Sequence, residues 1–152
     1  MDVTICKKLM IFIIYVGMTL SGLYNANKRQ SYLVQVYKMY EGVGQGSFGK
    51  VYRVFNKEDM RYYALKISTK INVPMNAKLK EVKLLTKIGD HDNIVKHFLS
   101  WEEGAVIFMQ MELCIGSLGF YKKSFNNDIE ADHQWDILID MLKVKFKLFI
   151  YF

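Results

Sequence analysis

The sequence predicts an α+β domain: a five-stranded antiparallel sheet with one packed helix, followed by further helix. Three observations predict it. Short runs of alternating apolar and polar residues flank a glycine cluster at Gly42, Gly44, Gly46 and Gly49. One segment of helical apolar spacing, residues 77–88, follows the third run. Two more β-rich runs meet at a Glu102-Glu103-Gly104 turn before helical spacing returns. Composition agrees with a folded chain of 152 residues, 51% hydrophobic and 24% charged, unlike the low hydrophobicity and high charge of disorder. A single proline, against about seven at average usage, excludes a proline-rich linker or a collagen-like chain.

The elements follow in order. Residues 35–40 alternate as a half-buried strand does. Lys50 to Phe55 is a second strand, rich in β-branched and aromatic residues. Asn56-Lys57-Glu58-Asp59 is a turn, and Tyr62 to Ser68 a third strand. In the helix, Leu79, Val82, Leu85 and Ile88 make the apolar face, and Gly89 is placed to cap its end. Ile94–Trp101 and Ala105–Met111 are the fourth and fifth strands. A last helix starts near Ile129, with Trp135, Leu138, Ile139 and Leu142 on one face. That face is a sticky patch if nothing covers it.

The net charge is +6, which at first invites a nucleic-acid reading. Its distribution argues against one. Residues 1–40 carry +4, residues 143–152 carry +3, and residues 41–142 carry −1. Cys6 and Cys114 are far apart and no CxxC or Cys/His cluster exists, so neither a disulfide framework nor a zinc site is indicated. His91, His97 and His133 lack ligand spacing and read as surface or packing residues. The apolar run at 9–20, extended to 24, follows Lys7 and Lys8. It reads as a signal core, a short membrane anchor or non-native sequence, and is short of the ~20 apolar residues of a span.

Gly44-Gln45-Gly46-Ser47-Phe48-Gly49-Lys50-Val51 fits three phosphate-binding patterns. A dinucleotide fingerprint needs a helix immediately afterwards, and a β-branched strand follows instead. A Walker A loop needs Ser or Thr where Val51 stands. The pattern GxGxxGxV between two antiparallel strands remains, against the bland alternative of a glycine-rich hairpin. Lys66 lies inside an apolar strand, where an ammonium must snorkel or find an anion. Glu81, on the next helix, can pair with it or with the lysines beside it. Loop, strand, lysine, helix and glutamate in this order make a phosphate pocket the stronger reading.

That order resembles the N-terminal lobe of a eukaryotic protein kinase. The closer resemblance is to the Wee family, in its membrane-associated tyrosine/threonine branch. It is carried by His91-Asp92-Asn93-Ile94-Val95-Lys96, by Phe98-Leu99-Ser100-Trp101-Glu102-Glu103-Gly104, and by Met111-Glu112-Leu113-Cys114-Ile115-Gly116-Ser117-Leu118. The resemblance implies ATP as cofactor, with Val43, Gly44, Gly46, Gly49, Val51 and Ala64 around it. It implies Lys66 on the phosphates with Glu81 as its partner, and Met111 as gatekeeper. It further implies backbone groups of Glu112 and Cys114 on the adenine edge, and a cyclin-dependent kinase as protein partner. No nucleic-acid partner is implied. The location is intracellular, in cytoplasm or nucleus, or at an endomembrane if residues 9–24 are an anchor.

The resemblance also divides the chain. Residues 1–34 are a hydrophobic and basic leader, 35–116 the lobe and hinge, 117–142 the start of a second lobe, and 143–152 a tail outside the family pattern. The family's HRDxxxxN and DFG segments supply the catalytic Asp and the Mg²⁺ ligands. Neither occurs in residues 119–152, so the metal-site expectation is none, and the chain as given is expected to be inactive alone. Lys143-Val144-Lys145 can be encoded with a splice-donor sequence, which makes translation into an unspliced intron the expected origin of the tail. The rival is a basic amphipathic strand or membrane-binding tail. The function class opposed to an enzyme is a non-catalytic interaction lobe, or a truncated product with no activity.

Overall fold

The computed structural model describes residues 12–13, 20–46, 49–68, 75–117, 119–120, 123 and 131–151. Its strands are β1 (Phe12–Ile13), β2 (Tyr37–Gly46), β3 (Gly49–Asn56), β4 (Arg61–Ile67), β5 (His97–Glu103) and β6 (Val106–Met111). Its helices are α1 (Tyr32–Val36), α2 (Met75–Ile88) and α3 (Ala131–Tyr151). The strands form one sheet in the order β1-β5-β6-β4-β3-β2, antiparallel throughout. The five expected strands are present, and the two-residue β1 adds a sixth at the edge, beside β5.

Alternation divides the sheet into two faces. One face carries Val54, Tyr63, Leu65 and Phe108, which close over Tyr32, Val36, Tyr37, Leu99 and Trp101. Trp101 is fully buried and stacks between Tyr37 and Phe108, with ring centroids 5.5 and 5.1 Å away. The Tyr37 hydroxyl donates to Gln110 beneath it, and burial pushes the Tyr37 pKa far up. The other face carries Ile107, Met109 and Met111, against which α2 packs Val82 and Leu79.

Local signals explain the boundaries. Gly104 and Ala105 both have positive φ, 56° and 65°, and join Glu103 to Val106 across a two-residue hairpin loop. Paired positive φ is what the right-handed twist of a tight hairpin demands. The turn therefore sits one residue later than expected. Gly89, at φ 65°, ends α2, and its N–H donates to the Leu85 carbonyl at 3.2 Å.

Three expectations differ. The first strand begins at Tyr37, because residues 32–36 form α1. Ser31 caps that helix, its Oγ accepting from the Val34 N–H at 3.2 Å. Glu103 reaches across to accept from the Tyr32 N–H at 2.6 Å, and burial holds its pKa above the usual carboxylate value. A boundary at residue 35 therefore cuts through a helix whose Tyr32 and Val36 are core residues. Second, the apolar run read as a signal or anchor lends Phe12 and Ile13 to the sheet. Its residues 9–11 and 14–19 lie outside the described residues. Among the described residues no helix is long and apolar enough to cross a membrane. Third, residues 143–151 continue the last helix, which overturns the strand form of the rival reading of the tail. Its expected start near Ile129 lies outside the described residues.

Candidate functional site

The register brings the glycine strands and the lysine to one face. Gly44 pairs with Val51, Val51 with Lys66, and Lys66 with Met109. Ala64 pairs with Met111 two residues along. Directly opposed residues share a face in an antiparallel sheet. Gly44, Val51, Ala64, Lys66 and Met111 therefore line the side of the sheet on which α2 also lies.

Lys66 reaches from β4 to α2. Its Nζ donates to both Glu81 carboxylate oxygens, at 2.5 and 2.7 Å. The lysine side chain is 16% exposed and the glutamate 37%, so the pair is partly shielded from water but open along one edge. Two charge-assisted bonds on one ammonium fix its position far better than a solvated lysine.

The glycines differ in what the fold asks of them. A Cβ on Gly49 would meet the Ile67 carbonyl oxygen at 2.2 Å, so strand packing alone explains that residue. Gly46 has nothing within 4 Å of where its Cβ would sit, and Gly44 only Val51 Cβ at 3.9 Å. The fold leaves room for side chains at both. Bare backbone there forms a cradle that side chains would fill. Ser47 and Phe48, at its turn, lie outside the described residues.

Beyond β6 the chain runs past Glu112 and Cys114, both exposed. The Glu112 N–H donates to the Lys96 carbonyl at 2.9 Å, and its carboxylate accepts from the Lys96 N–H at 3.2 Å. The Glu112 N–H is therefore committed inward. Val43, on β2, is half exposed. A cavity of about 340 Å³ lies elsewhere, behind the C-terminal end of α2, between Leu85, Thr86, Ile94, Val95 and His97. It is not the space beneath the glycine strands.

Residues 37–143 match the sequence model of the protein kinase domain. The chain belongs to that family. This kinase lobe is similar to the "Membrane-associated tyrosine- and threonine-specific cdc2-inhibitory kinase wee-1.3" of Caenorhabditis elegans, 34% identical over 121 residues, 79% of this chain and 18% of the relative. A Drosophila melanogaster kinase with the same description, without the wee-1.3 suffix, is 32% identical over 116 residues, 74% of this chain and 22% of the relative. The Wee1-like protein kinase of Oryza sativa is 39% identical over 77 residues, 49% of this chain and 15% of the relative. The chain thus spans between 15% and 22% of the length of these curated relatives.

Two residues of the kinase lobe escaped the sequence reading. Met109 stands opposite Lys66 and, with Ile107 and Val82, forms the apolar wall behind it. The alternation Ile107, Met109, Met111 carried that signal. His97 lies on β5 opposite Met111, its Nε2 2.7 Å from the Ser100 hydroxyl. Burial lowers its pKa, while the nearby Glu81 charge opposes that shift. No spacing rule distinguishes such a histidine from a surface one.

Proposed function

We propose that these residues are the ATP-holding lobe of a Wee-type protein kinase, whose activity is phosphorylation of Ser, Thr or Tyr in a cyclin-dependent kinase. The observation that carries this reading is the Lys66–Glu81 pair on the sheet face shared with Gly44, Val51 and Ala64. An ammonium held by two carboxylate oxygens is a cation fixed in position on that face, where a phosphate would meet it. Gly44, Gly46 and Gly49 let β2 and β3 approach the triphosphate. Val43, Val51 and Ala64 offer apolar surface to the base, and Met111 limits its depth. With its N–H already used, Glu112 has its carbonyl left for the adenine edge, and Cys114 supplies an N–H.

ATP is expected to arrive with Mg²⁺. Among the described residues no group of three or more His, Cys, Asp or Glu converges as a metal site, so no metal ligand is assigned on this lobe. The 152 residues also hold no HRD or DFG segment. Nucleotide binding without phosphotransfer is therefore the expected behaviour of these residues alone. ATP use places the lobe inside the cell, and two of the relatives are named as membrane-associated. A second reading, a non-catalytic interaction lobe, is favoured by the exposed apolar face of α3.

ATP-dependent thermal shift tests the first reading. A ligand at 100 times its Kd stabilises by about 2.7 kcal/mol, enough for a clear rise in melting temperature. Wild type should show the rise and Lys66→Met should lose it. An equal rise in both, or none in wild type, leaves only the interaction reading. Phosphotransfer by the chain alone would overturn the account of the missing catalytic loop.

A further inference from the structure

A cationic aromatic cluster spans β2, β3 and β4 on the same sheet face as Val51, Ala64 and Lys66, with Arg53 opposite Ala64. Tyr40 and Tyr62 meet edge to face at 5.6 Å. The Arg53 guanidinium lies 4.3 Å from the Tyr62 ring centroid and 5.8 Å from that of Tyr40. Lys38 Nζ lies 5.3 Å from the Tyr40 ring. Both tyrosines are exposed, Tyr40 at 37%.

Three features bear on Tyr40. First, β2 is the edge of the sheet, and its register slips between Met39 and Gly42, leaving Tyr40 and Glu41 out of regular pairing with β3. An unpaired stretch of edge strand is the part of a sheet most easily presented to another protein. Second, Arg53 gives its Nη1 to Glu41 at 3.2 Å, but its Nε is buried and has no acceptor among the described residues. One edge of the guanidinium fork thus lacks the anion it is shaped for. Third, the neighbouring Tyr62 side chain and the Lys38 and Arg53 cations hold the Tyr40 pKa below the usual phenol value.

We propose that Tyr40 is a phosphate-acceptor site, and that Lys38 and Arg53 receive the phosphate once it is attached. The donor is ATP on a separate protein-tyrosine kinase. The Tyr40 oxygen attacks the γ-phosphorus, a new O–P bond forms, and the bond to the ADP oxygen breaks. The phenol proton passes to that kinase's base, and ADP leaves. The product adds nearly two negative charges between two cations. Glu41 opposes it, and Arg53 must exchange that carboxylate for the phosphate. Because Tyr40 is on β2 and Arg53 on β3, the exchange ties the two strands together at the irregular register, at the base of the glycine turn.

The test has two arms, both on the full chain. In the first, the protein is incubated with a broad-specificity soluble tyrosine kinase and Mg-ATP, and phosphosites are mapped at low occupancy. Tyr40 should be modified ahead of the other nine tyrosines. An unmodified Tyr40 overturns the proposal, whatever happens elsewhere. In the second, phosphotyrosine is installed at position 40 by genetic encoding. The melting temperature should rise by about 2–4 °C, rise further with Glu41→Gln, and lose the gain in the Lys38→Ala/Arg53→Ala double variant. An unchanged or lowered melting temperature, or a gain that survives the double variant, overturns the clamp.

Discussion

Lys66 stands mid-strand between Leu65 and Ile67, where its charge has no route to bulk water except along the sheet face. Glu81 answers it with two bonds, and Met109 and Val82 close the apolar wall behind. This is the part of the site most legible in sequence, because a lysine in an apolar strand requires an anion. His97 was not legible. Only its place in the fold, on β5 opposite Met111, brings Glu81 within electrostatic reach. Burial lowers its pKa from 6.5, so the fold favours the neutral ring. Stability that depends on the neutral ring is whole above pH 6.5 and is lost as the pH falls through the lowered value. The urea midpoint of the wild type should therefore drop more steeply than that of His97→Gln as the pH falls below 6.5. Parallel curves would show that His97 does not titrate against the fold.

At the scale of elements, the strands and α2 were legible because their apolar periods are unbroken and glycines mark their ends. The start of the lobe was not. Five residues are too few for a periodic signal, so the sequence reading split α1 between the leading segment and the following strand. The clue was Ser31, a capping residue, and its meaning depended on Glu103, 71 positions from Tyr32. The edge-strand pairing of Phe12 and Ile13 was equally hidden, since an apolar run carries no period to separate strand from anchor. The structure makes α1 part of the packed unit. Tyr32 is 2% exposed and touches Tyr24, Tyr37 and Trp101 edge to face. Tyr32→Ala should cost about 3–4 kcal/mol in chemical unfolding, as large aromatic truncations do. A loss under about 1 kcal/mol would mean that α1 is an appendage and that the lobe begins at β2.

At the scale of the molecule, the charge distribution and the family match pick out the same stretch of chain. The near-neutral stretch 41–142 holds the glycine strands, Lys66, Glu81 and the run past β6, and the family match spans 37–143. The basic excess lies in the two ends. Trp135, Leu138, Ile139 and Leu142 are between 44% and 63% exposed, an apolar stripe along α3.

The central claim is that ATP sits on the sheet face shared by Gly44, Val51, Ala64 and Lys66. Photoaffinity labelling with 2-azido-ATP, followed by peptide mapping, tests it most directly. The account predicts label within residues 42–51 and 109–114, displaced by excess ATP and greatly reduced in Lys66→Met. Label confined to other peptides, or label that excess ATP does not displace, would contradict it.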